Sequence, residues 1–322
     1  MSHLPTLGGL TAPALAKRMF ESGLTLDLGA ARVRVVSDCE SLASAVGSVY
    51  RYFPDERYSG FSDATVQIRL VRGLRRWIKP QIEFIADANR PFEPFPADTH
   101  LPLLEWGMNY ALSDRIFHFL VLHSGVVAKN KSAILLPAIP GSGKSTLTAA
   151  LHLSGYRLLS DEFGVIDPRT GNLIPMVRPV ALKNQSISVI RDRFSDAILG
   201  PIFPKTRKGD VSHLAPAAAS VASRHITAKP VLVIFPRYAK GAGCRIEDVD
   251  PATAFNRLAV NSFNYEFLGA WGFASLIEIV RRCPCKQLVF DSLDSAITIL
   301  DDLFESQRGQ DPERMSSTDA AA

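Results

Sequence analysis

The chain has 322 residues, a formal net charge of +4, and a composition that is 47% hydrophobic and 21% charged. This composition is typical of a folded globular protein, and so small a positive charge argues against a nucleic-acid-binding protein. No apolar run approaches the ~20 residues of a membrane helix. The first Lys and Arg residues, Lys17 and Arg18, follow the apolar N-terminal stretch, which is the reverse of a secretory signal. We therefore expect a cytoplasmic protein without membrane association.

The pattern of the first 115 residues predicts a small α+β domain. It begins with an N-terminal stretch (1–22) for which a loose arm or a short helix is expected. Apolar spacing distinguishes helices from strands here, since strands alternate and helices repeat every three to four residues. The predicted elements are, in chain order, two short strands within 24–36 around Gly29, a helix at 39–52 that Pro54 ends, strands at 64–70 and 77–86, and a helix at 101–112.

Basic residues surround Trp77, namely Arg69, Arg72, Arg75, Arg76 and Lys79. A nucleic-acid surface and a solvated hairpin both fit this cluster. Basic clusters are weak motifs, so the solvated hairpin is favoured and no nucleic-acid partner is expected.

The rest of the chain alternates strands and helices around a glycine-rich loop. The predicted elements are a strand at 133–136, a helix at 145–153 capped by Gly155, a hairpin with arms at 157–166 and 173–180, a mobile loop within 199–223, a strand at 231–235, helices at 251–260 and 270–282, a strand at 287–290, a helix at 293–304 and a disordered tail at 305–322. The expected division is an N-terminal substrate or partner domain at 1–115, a catalytic domain at 116–304 and the tail.

The four cysteines are Cys39, Cys244, Cys283 and Cys285. Their spacing matches neither a disulfide framework nor a zinc site, because Cys283 and Cys285 have no second Cys or His pair close by in sequence. We expect reduced thiols with structural roles.

The segment Ala138-Ile139-Pro140-Gly141-Ser142-Gly143-Lys144-Ser145-Thr146 resembles a phosphate-binding loop, with Ala138 in place of the usual first glycine. A strand precedes it and a helix follows it. Backbone N–H groups of such a loop form an anion-binding nest at a helix N-terminus, and residues 140–146 are the expected nucleotide-binding residues. Lys144 would reach the β- and γ-phosphates, and the Ser145 hydroxyl would bind Mg²⁺. A glycine-rich turn without nucleotide is the alternative.

Asp161 and Glu162 lie at the end of the apolar segment that follows the loop helix. If that strand lies beside the loop strand, it brings both carboxylates near the γ-phosphate. One would act as a base on an acceptor hydroxyl, and the other would bind Mg²⁺ directly or through water. A solvated strand end is the alternative. The chain has no N-K-x-D or T-K-x-D motif for guanine and no L-S-G-G-Q motif, so common GTPases and transporter ATPases are excluded.

Residues 117–303 resemble the HPr kinase/phosphorylase superfamily, and within it the group called HPr-kinase-related kinase A. The segments that carry the resemblance are Leu122–Val127, Gly141–Thr146, Ser160–Glu162, Arg178–Asn184, Lys205–Leu214 and Asn261–Tyr265.

The resemblance implies a PEP-carboxykinase-like P-loop fold with a mixed central sheet, and phosphate transfer to a serine hydroxyl of a protein or peptide. It assigns the catalytic acidic pair to Asp161 and Glu162, with Asp161 as base, and a functional histidine to His123, for which a structural role is the alternative. HPr kinases have an Asp-Asp pair where this chain has Asp-Glu. The glycine-rich signature linked to phosphorolysis is not recognisable, so no phosphorylase activity is expected.

Arg207 and Lys208 lie between Pro- and Gly-containing segments, and would close over the transferring phosphoryl group. Arg178 and Lys183 would bind phosphate or the acceptor. For each of these residues, an ordinary surface charge is the alternative.

These features predict an α/β protein: a PEP-carboxykinase-like P-loop domain with a mixed central sheet, preceded by a small α+β domain. The expected function is ATP-dependent transfer of phosphate to a hydroxyl of a protein or peptide. A small-molecule hydroxyl kinase and a non-catalytic nucleotide-binding sensor or scaffold are the alternatives. ATP with Mg²⁺ is the expected substrate pair, with GTP still open, and a homo-oligomer is expected. The sequence does not identify the acceptor.

Overall fold

A computed structural model describes residues 5–55, 60–73 and 78–308. The chain forms two compact units. The first unit comprises Met1–Phe119 and Ile174–Ile226, and the second unit comprises Leu120–Leu173 and Thr227–Ala322. Residues 174–226, which the sequence analysis assigns to the catalytic domain, therefore group with the N-terminal residues. Two of the bonds that join them are Val177 N–H to the Leu28 carbonyl and Ala30 N–H to the Pro175 carbonyl, both 2.8 Å.

The structure is α/β with mixed sheets. The helices of the described residues are α1 (Ala12–Glu21), α2 (Glu40–Val49), α3 (His100–Ser113), α4 (Lys144–Leu153), α5 (Gln185–Arg193), α6 (Ala218–Ala222), α7 (Pro251–Val260), α8 (Tyr265–Leu268), α9 (Ala270–Arg282) and α10 (Leu293–Arg308). Short 3-10 helices lie at Leu7–Gly9 and Ala97–Thr99. None of the helices in this described part of the chain has both the length and the apolar character needed to cross a membrane.

The strands of the described residues are β1 (Leu24–Asp27), β2 (Arg32–Ser37), β3 (Ala64–Leu70), β4 (Gln81–Ala86), β5 (Phe95–Pro96), β6 (Leu120–Lys129), β7 (Ser132–Pro137), β8 (Arg157–Ser160), β9 (Phe163–Ile166), β10 (Leu173–Ile174), β11 (Val180–Lys183), β12 (Phe203–Thr206), β13 (Gly209–Leu214), β14 (Lys229–Tyr238), β15 (Arg245–Asp248) and β16 (Cys285–Phe290).

The first unit contains a five-stranded sheet in the order β1-β2-β3-β4-β5 and a three-stranded sheet in the order β11-β13-β12. In β2 the buried side chains Val33 and Val35 alternate with more exposed ones, the period-2 pattern of a strand with one face on the core. β2 and β3 are parallel, because α2 connects them, whereas β3 and β4 are antiparallel.

A buried ion pair lies in the first unit between Arg178 and Glu105, with Nη2 and Oε2 3.0 Å apart. The Tyr50 hydroxyl donates to Glu105 Oε1 at 2.6 Å, and Arg178 Nη1 donates to Asn109 Oδ1 at 2.6 Å. Burial, and then the negative Glu105, raise the pKa of Tyr50 well above its usual value. Arg178 is thus buried and paired within the first unit rather than being a surface charge.

The second unit is built on an eight-stranded mixed sheet in the order β10-β9-β6-β7-β14-β16-β15, with β8 also paired to β6. β7, β14 and β16 run parallel, and β6 is antiparallel to β7. A parallel neighbour requires a crossover, and the helices that follow β7 and β14 supply it. One side of the core is formed by apolar residues of the sheet with Leu258, Leu276 and Ile279 of α7 and α9.

The sequence analysis expected the strand that carries the acidic pair to lie beside the loop strand. In the structure the two strands are not neighbours. β8 and β9 both pair antiparallel with β6, and β6 in turn separates them from the loop strand β7. The predicted hairpin forms, since β10 pairs with β9. Its return arm is nevertheless only the two residues of β10.

The short helix that the sequence allowed in the N-terminal stretch is present as α1. Two other predictions fall differently in the structure. Part of the expected mobile loop at 199–223 forms β12, β13 and α6. The last helix continues to Arg308, so Glu305 is helical, and the remaining tail residues 309–322 lie outside the described residues. Trp77, Arg75 and Arg76 of the basic cluster also lie outside them.

The close packing of β6 on α4 predicts that Gly125 tolerates no side chain. A Cβ at Gly125 would lie 2.2 Å from Thr148 Oγ1, which is buried without a hydrogen-bond partner. We expect Gly125→Ala to lower the free energy of unfolding by about 1–3 kcal/mol, measured by urea denaturation. Thr148→Ala in the same chain should restore most of the loss. Gly9→Ala is the control, because no heavy atom lies within 4 Å of its Cβ position. Equal losses in the single and double variants would contradict the packing explanation.

We expect the free energy of unfolding to decrease as the pH is lowered, because of His213 in β13. Its ring is fully buried, neither ring nitrogen has a hydrogen-bond partner, and burial followed by the nearby Arg178 and Lys183 charges lowers its pKa to about 3. The unfolded histidine titrates near 6.5. The unfolded chain therefore binds one more proton between these values, so stability present above pH 6.5 is lost as the pH falls towards 3.

The measurement is the free energy of unfolding between pH 4.5 and 7. We expect His213→Leu to lower the slope of the free energy of unfolding against pH by about 1.4 kcal/mol per pH unit, which corresponds to one proton fewer bound on unfolding. His118→Gln alters an exposed histidine and should keep the slope of the original protein. An unchanged slope in His213→Leu would show that His213 is already protonated in the folded state.

Candidate active site

The glycine-rich loop spans the connection between β7 and α4. Gly141 and Gly143 have positive φ values of 86° and 87°, a region that residues with a Cβ rarely adopt. Ala138 does not have a positive φ, which explains why alanine is compatible with the position of the usual first glycine. The loop delivers the chain to the N-terminus of α4, whose first N–H groups have no acceptor within the helix.

The ends of β14 and β16 support the loop. Tyr238 N–H donates to the Ser142 carbonyl at 2.8 Å. A Cβ at Gly143 would lie 3.0 Å from Tyr238 Cβ and 3.2 Å from Phe290 Cζ. The Ser142 hydroxyl is buried and has no hydrogen-bond partner. The loop is therefore held by packing and by the bond from Tyr238, while its Ser142 hydroxyl remains unsatisfied.

Lys144, the first residue of α4, turns its side chain inward. The residue is 6% exposed, and its ammonium group donates to the backbone carbonyl of Asp161. Its Nζ also lies 3.6 Å from Asp161 Oδ1. The structure thus brings together the two residues that the sequence analysis proposed as phosphate ligand and base, although they are 17 residues apart.

The Asp161 carboxylate is buried and incompletely satisfied. The residue is 5% exposed, and neither Oδ1 nor Oδ2 has a hydrogen-bond partner. A buried carboxylate usually accepts several hydrogen bonds, because desolvation of its charge costs several kcal/mol. Here a single ammonium group supplies the compensation. Two unused acceptor oxygens beside a helix N-terminus suit a site that takes up a hydroxyl group next to phosphate.

A break between β8 and β9 presents the acidic pair. Phe163 N–H donates to Ser160 Oγ at 3.0 Å, and Ser124 N–H donates to the Glu162 carbonyl at 3.3 Å, so both sides of the break are fixed. The two acidic side chains have different partners: Asp161 lies beside Lys144, whereas Glu162 Oε2 lies 3.2 Å from His123 Nε2. This separation fits different roles for the two carboxylates.

His123 is held by β6 and by the segment 261–264. The backbone N–H of His123 donates to the Asn261 carbonyl at 2.6 Å. The His123 ring contacts the Phe263 ring edge-on, with the ring centroids 6.0 Å apart. The Asn264 side chain accepts from Val121 N–H at 3.0 Å. The segment that resembled a family motif is therefore a backbone support for the histidine.

The expected magnesium ligands are Ser145 in the first turn of α4 and Glu162. Among the residues that the structure describes, no three His, Cys, Asp or Glu side chains form a metal-binding group. Mg²⁺ that arrives with a nucleotide needs few protein ligands, because phosphate oxygens and water complete its octahedron. A Ser hydroxyl and a carboxylate are hard oxygen donors that suit this ion.

Arg207 and Lys208 belong to the first unit, in the turn between β12 and β13. The Arg207 guanidinium lies over the Phe95 ring at 4.6 Å, and the Lys208 ammonium lies over the Trp106 ring at 5.2 Å. Cation–π contacts of exposed side chains contribute about 0.5–1 kcal/mol each. Their part in closing over phosphate stays a prediction.

The cysteines are not part of the site. All four are free thiols, and Cys283 donates to the Pro230 carbonyl at 3.2 Å. Burial, and then the neighbouring Cys285, raise the pKa of Cys283 to about 12, so it is protonated and unreactive at neutral pH. Structural thiols were the expectation from the sequence.

No protein-family model matches the chain, and no curated protein matches it. The function therefore has to be argued from the residues and their geometry.

The sequence analysis missed Tyr238 and Phe290, which pack against the loop. They lie 95 and 147 positions after Gly143 in the chain, and no local pattern connects them to it. Only the order β7-β14-β16 in the sheet brings them there.

Gly143→Ala tests whether the loop conformation is needed for binding. Alanine disfavours a φ of 87°, and its Cβ would be crowded by Tyr238 and Phe290. We expect Mg-ATP affinity, measured by titration calorimetry, to fall at least about tenfold, which corresponds to about 1.4 kcal/mol. Gly155→Ala is the matched control, since Gly155 also has a positive φ but no atom within 4 Å of its Cβ position. It should destabilise the protein and leave the affinity unchanged. Equal affinities for the two variants would contradict a role of the Gly143 conformation.

Proposed function

We propose that this chain is an ATP- and Mg²⁺-dependent kinase that transfers the γ-phosphate to a serine hydroxyl of a protein or peptide. The resemblance of the loop and the acidic pair to the HPr kinase/phosphorylase superfamily supports this function and a PEP-carboxykinase-like second unit. The mixed sheet of that unit is compatible with such a fold.

One observation carries the proposal: a buried lysine at the start of the loop helix faces a buried carboxylate with two unused acceptor oxygens. A loop that only bound an anion would need the lysine and the backbone N–H groups. A carboxylate beside them repels phosphate, so its presence is a cost to binding alone. That cost is explained if the carboxylate accepts a proton from the attacking hydroxyl.

Each of these residues has a separate role in the proposed reaction. Loop N–H groups and Lys144 hold the β- and γ-phosphates, and the ammonium group moves from Asp161 towards the more strongly charged phosphate. Asp161 accepts the proton of the serine hydroxyl. The serine oxygen forms a bond to the γ-phosphorus, and the bond from that phosphorus to the β,γ-bridging oxygen breaks. ADP leaves with the electron pair of the broken bond.

Glu162 and His123 act beside this centre. His123 fixes the orientation of the Glu162 carboxylate, and Glu162 with Ser145 would hold Mg²⁺. When bound, this ion would neutralise charge on the β- and γ-phosphate oxygens.

Two variants test the assignment. Lys144→Ala should lose both Mg-ATP binding and phosphate transfer, because the ammonium group is the principal cation of the loop. Asp161→Asn should keep nucleotide binding but lower transfer about 100-fold or more, because an amide accepts no proton at neutral pH. Binding is measured by calorimetry and transfer by incorporation of label from γ-labelled ATP into casein or other serine-containing proteins.

Matched controls are Lys131→Ala, at an exposed turn of the same unit, and Asp302→Asn, on the exposed side of α10. Both should behave as the original protein. Full transfer by Asp161→Asn would refute the base assignment. ATP binding without transfer in the original protein, to proteins or to small alcohols, would favour a nucleotide sensor or scaffold.

A further inference from the structure

The second unit exposes three large aromatic side chains within nine residues, which we call the aromatic surface: Phe263, Phe267 and Trp271. They are 49%, 89% and 61% exposed. They lie just before α8, in α8 and in the first turn of α9. Single exposed aromatic residues are common, but several on one short segment mark an interaction surface.

The segment behind this surface is ordered by contacts to the core. Phe263 N–H donates to the Val121 carbonyl at 2.9 Å, and Tyr265 and Leu268 pack against the core of the second unit. The exposed rings therefore belong to a fixed segment with its own buried face. Their exposure does not result from a loose loop whose side chains have no place to pack.

Phe263, the first residue of the aromatic surface, lies beside the candidate active site. The Phe263 ring lies 6.0 Å from the His123 ring and 5.1 Å from the Phe163 ring, measured between centroids. His123 contacts Glu162, and Phe163 is two residues from Asp161 in the chain. A ligand that covers Phe263 thus approaches the acidic pair directly.

The chemistry of the segment favours apolar contacts. Residues 261–277 contain a single charged side chain, Glu266. Such a surface offers no cations for nucleic-acid phosphates or for a charged metabolite, whereas large exposed rings bury apolar area and are frequent binding anchors. A second copy of the chain held permanently here would cover Phe263 and obstruct access to His123.

We propose that the aromatic surface docks apolar side chains of an extended polypeptide whose serine is the phosphate acceptor. The inference rests on the proposed kinase function and specifies its acceptor. An extended chain advances about 3.4 Å per residue, so side chains about two to five positions from the serine reach Phe263 and the rings beyond it. The acceptor is thus a flexible segment with aromatic or aliphatic residues near its serine, and not a small alcohol.

The test compares two sets of synthetic peptides with the full-length protein and γ-labelled ATP. One set has a central serine flanked by Phe and Leu at two to five positions on either side, and the reference set has alanine at those positions. We expect kcat/KM for the apolar set to exceed that of the reference set at least tenfold. The double variant Phe267→Ser, Trp271→Ser should reduce this ratio to about one, mainly through KM for the peptide.

The ratio of kcat/KM for the apolar peptides to kcat/KM for the reference peptides is the decisive quantity. Partial misfolding of a variant lowers both values and leaves their ratio unchanged. Phe61→Ser, which alters an aromatic side chain that is 79% exposed in the first unit, should keep the full ratio. Equal transfer to both peptide sets would overturn the docking inference while the kinase proposal stands. Absence of transfer to any peptide or protein would overturn both. A change of the double variant from oligomer to monomer in light scattering would assign the surface to a second copy instead.

Discussion

The charge pair of Lys144 and Asp161 is the interaction on which the site depends, because both groups are removed from water. In that environment an unpaired carboxylate or ammonium group would cost several kcal/mol, so each residue holds the other in place. The partnership also joins α4 to the break between β8 and β9. The carboxylate nevertheless lacks hydrogen bonds of its own, and the ammonium group has a stronger potential partner in phosphate. Under the proposed function, phosphate would replace Asp161 as the partner of the ammonium group.

Strand β6 is the structural reason that this pair can form. Its first half pairs with β9 and contacts the segment around Ser262, and its second half lies between β7 and β8. The strand therefore separates the loop strand from the acidic strand by the width of one strand. A long lysine side chain from the start of α4 is needed to bridge that gap. A shorter cation at position 144 would leave Asp161 uncompensated.

Local signals predicted the loop, the helix after it and the acidic pair, because glycine spacing, apolar periodicity and a strand end are all readable within a few residues. The sequence also indicated most strands of both units. It did not give the position of β6 between β7 and β8, since strand order depends on pairings between distant residues. For the same reason the role of Tyr238 was not evident. Ala138 looked like a defect in the motif, but the conformation there does not require glycine.

The support of Gly143 by Tyr238 and Phe290 has a consequence for biosynthesis. The ribosome synthesises the chain from the N-terminus, so the glycine turn leaves the ribosome more than a hundred residues before Phe290 does. Until β14 and β16 join the sheet, the turn has neither the bond from Tyr238 nor the ring against which Gly143 packs. A nascent or C-terminally truncated chain therefore cannot hold the turn in its final shape. The turn reaches its final shape only when β16, the last strand of the unit, is in place.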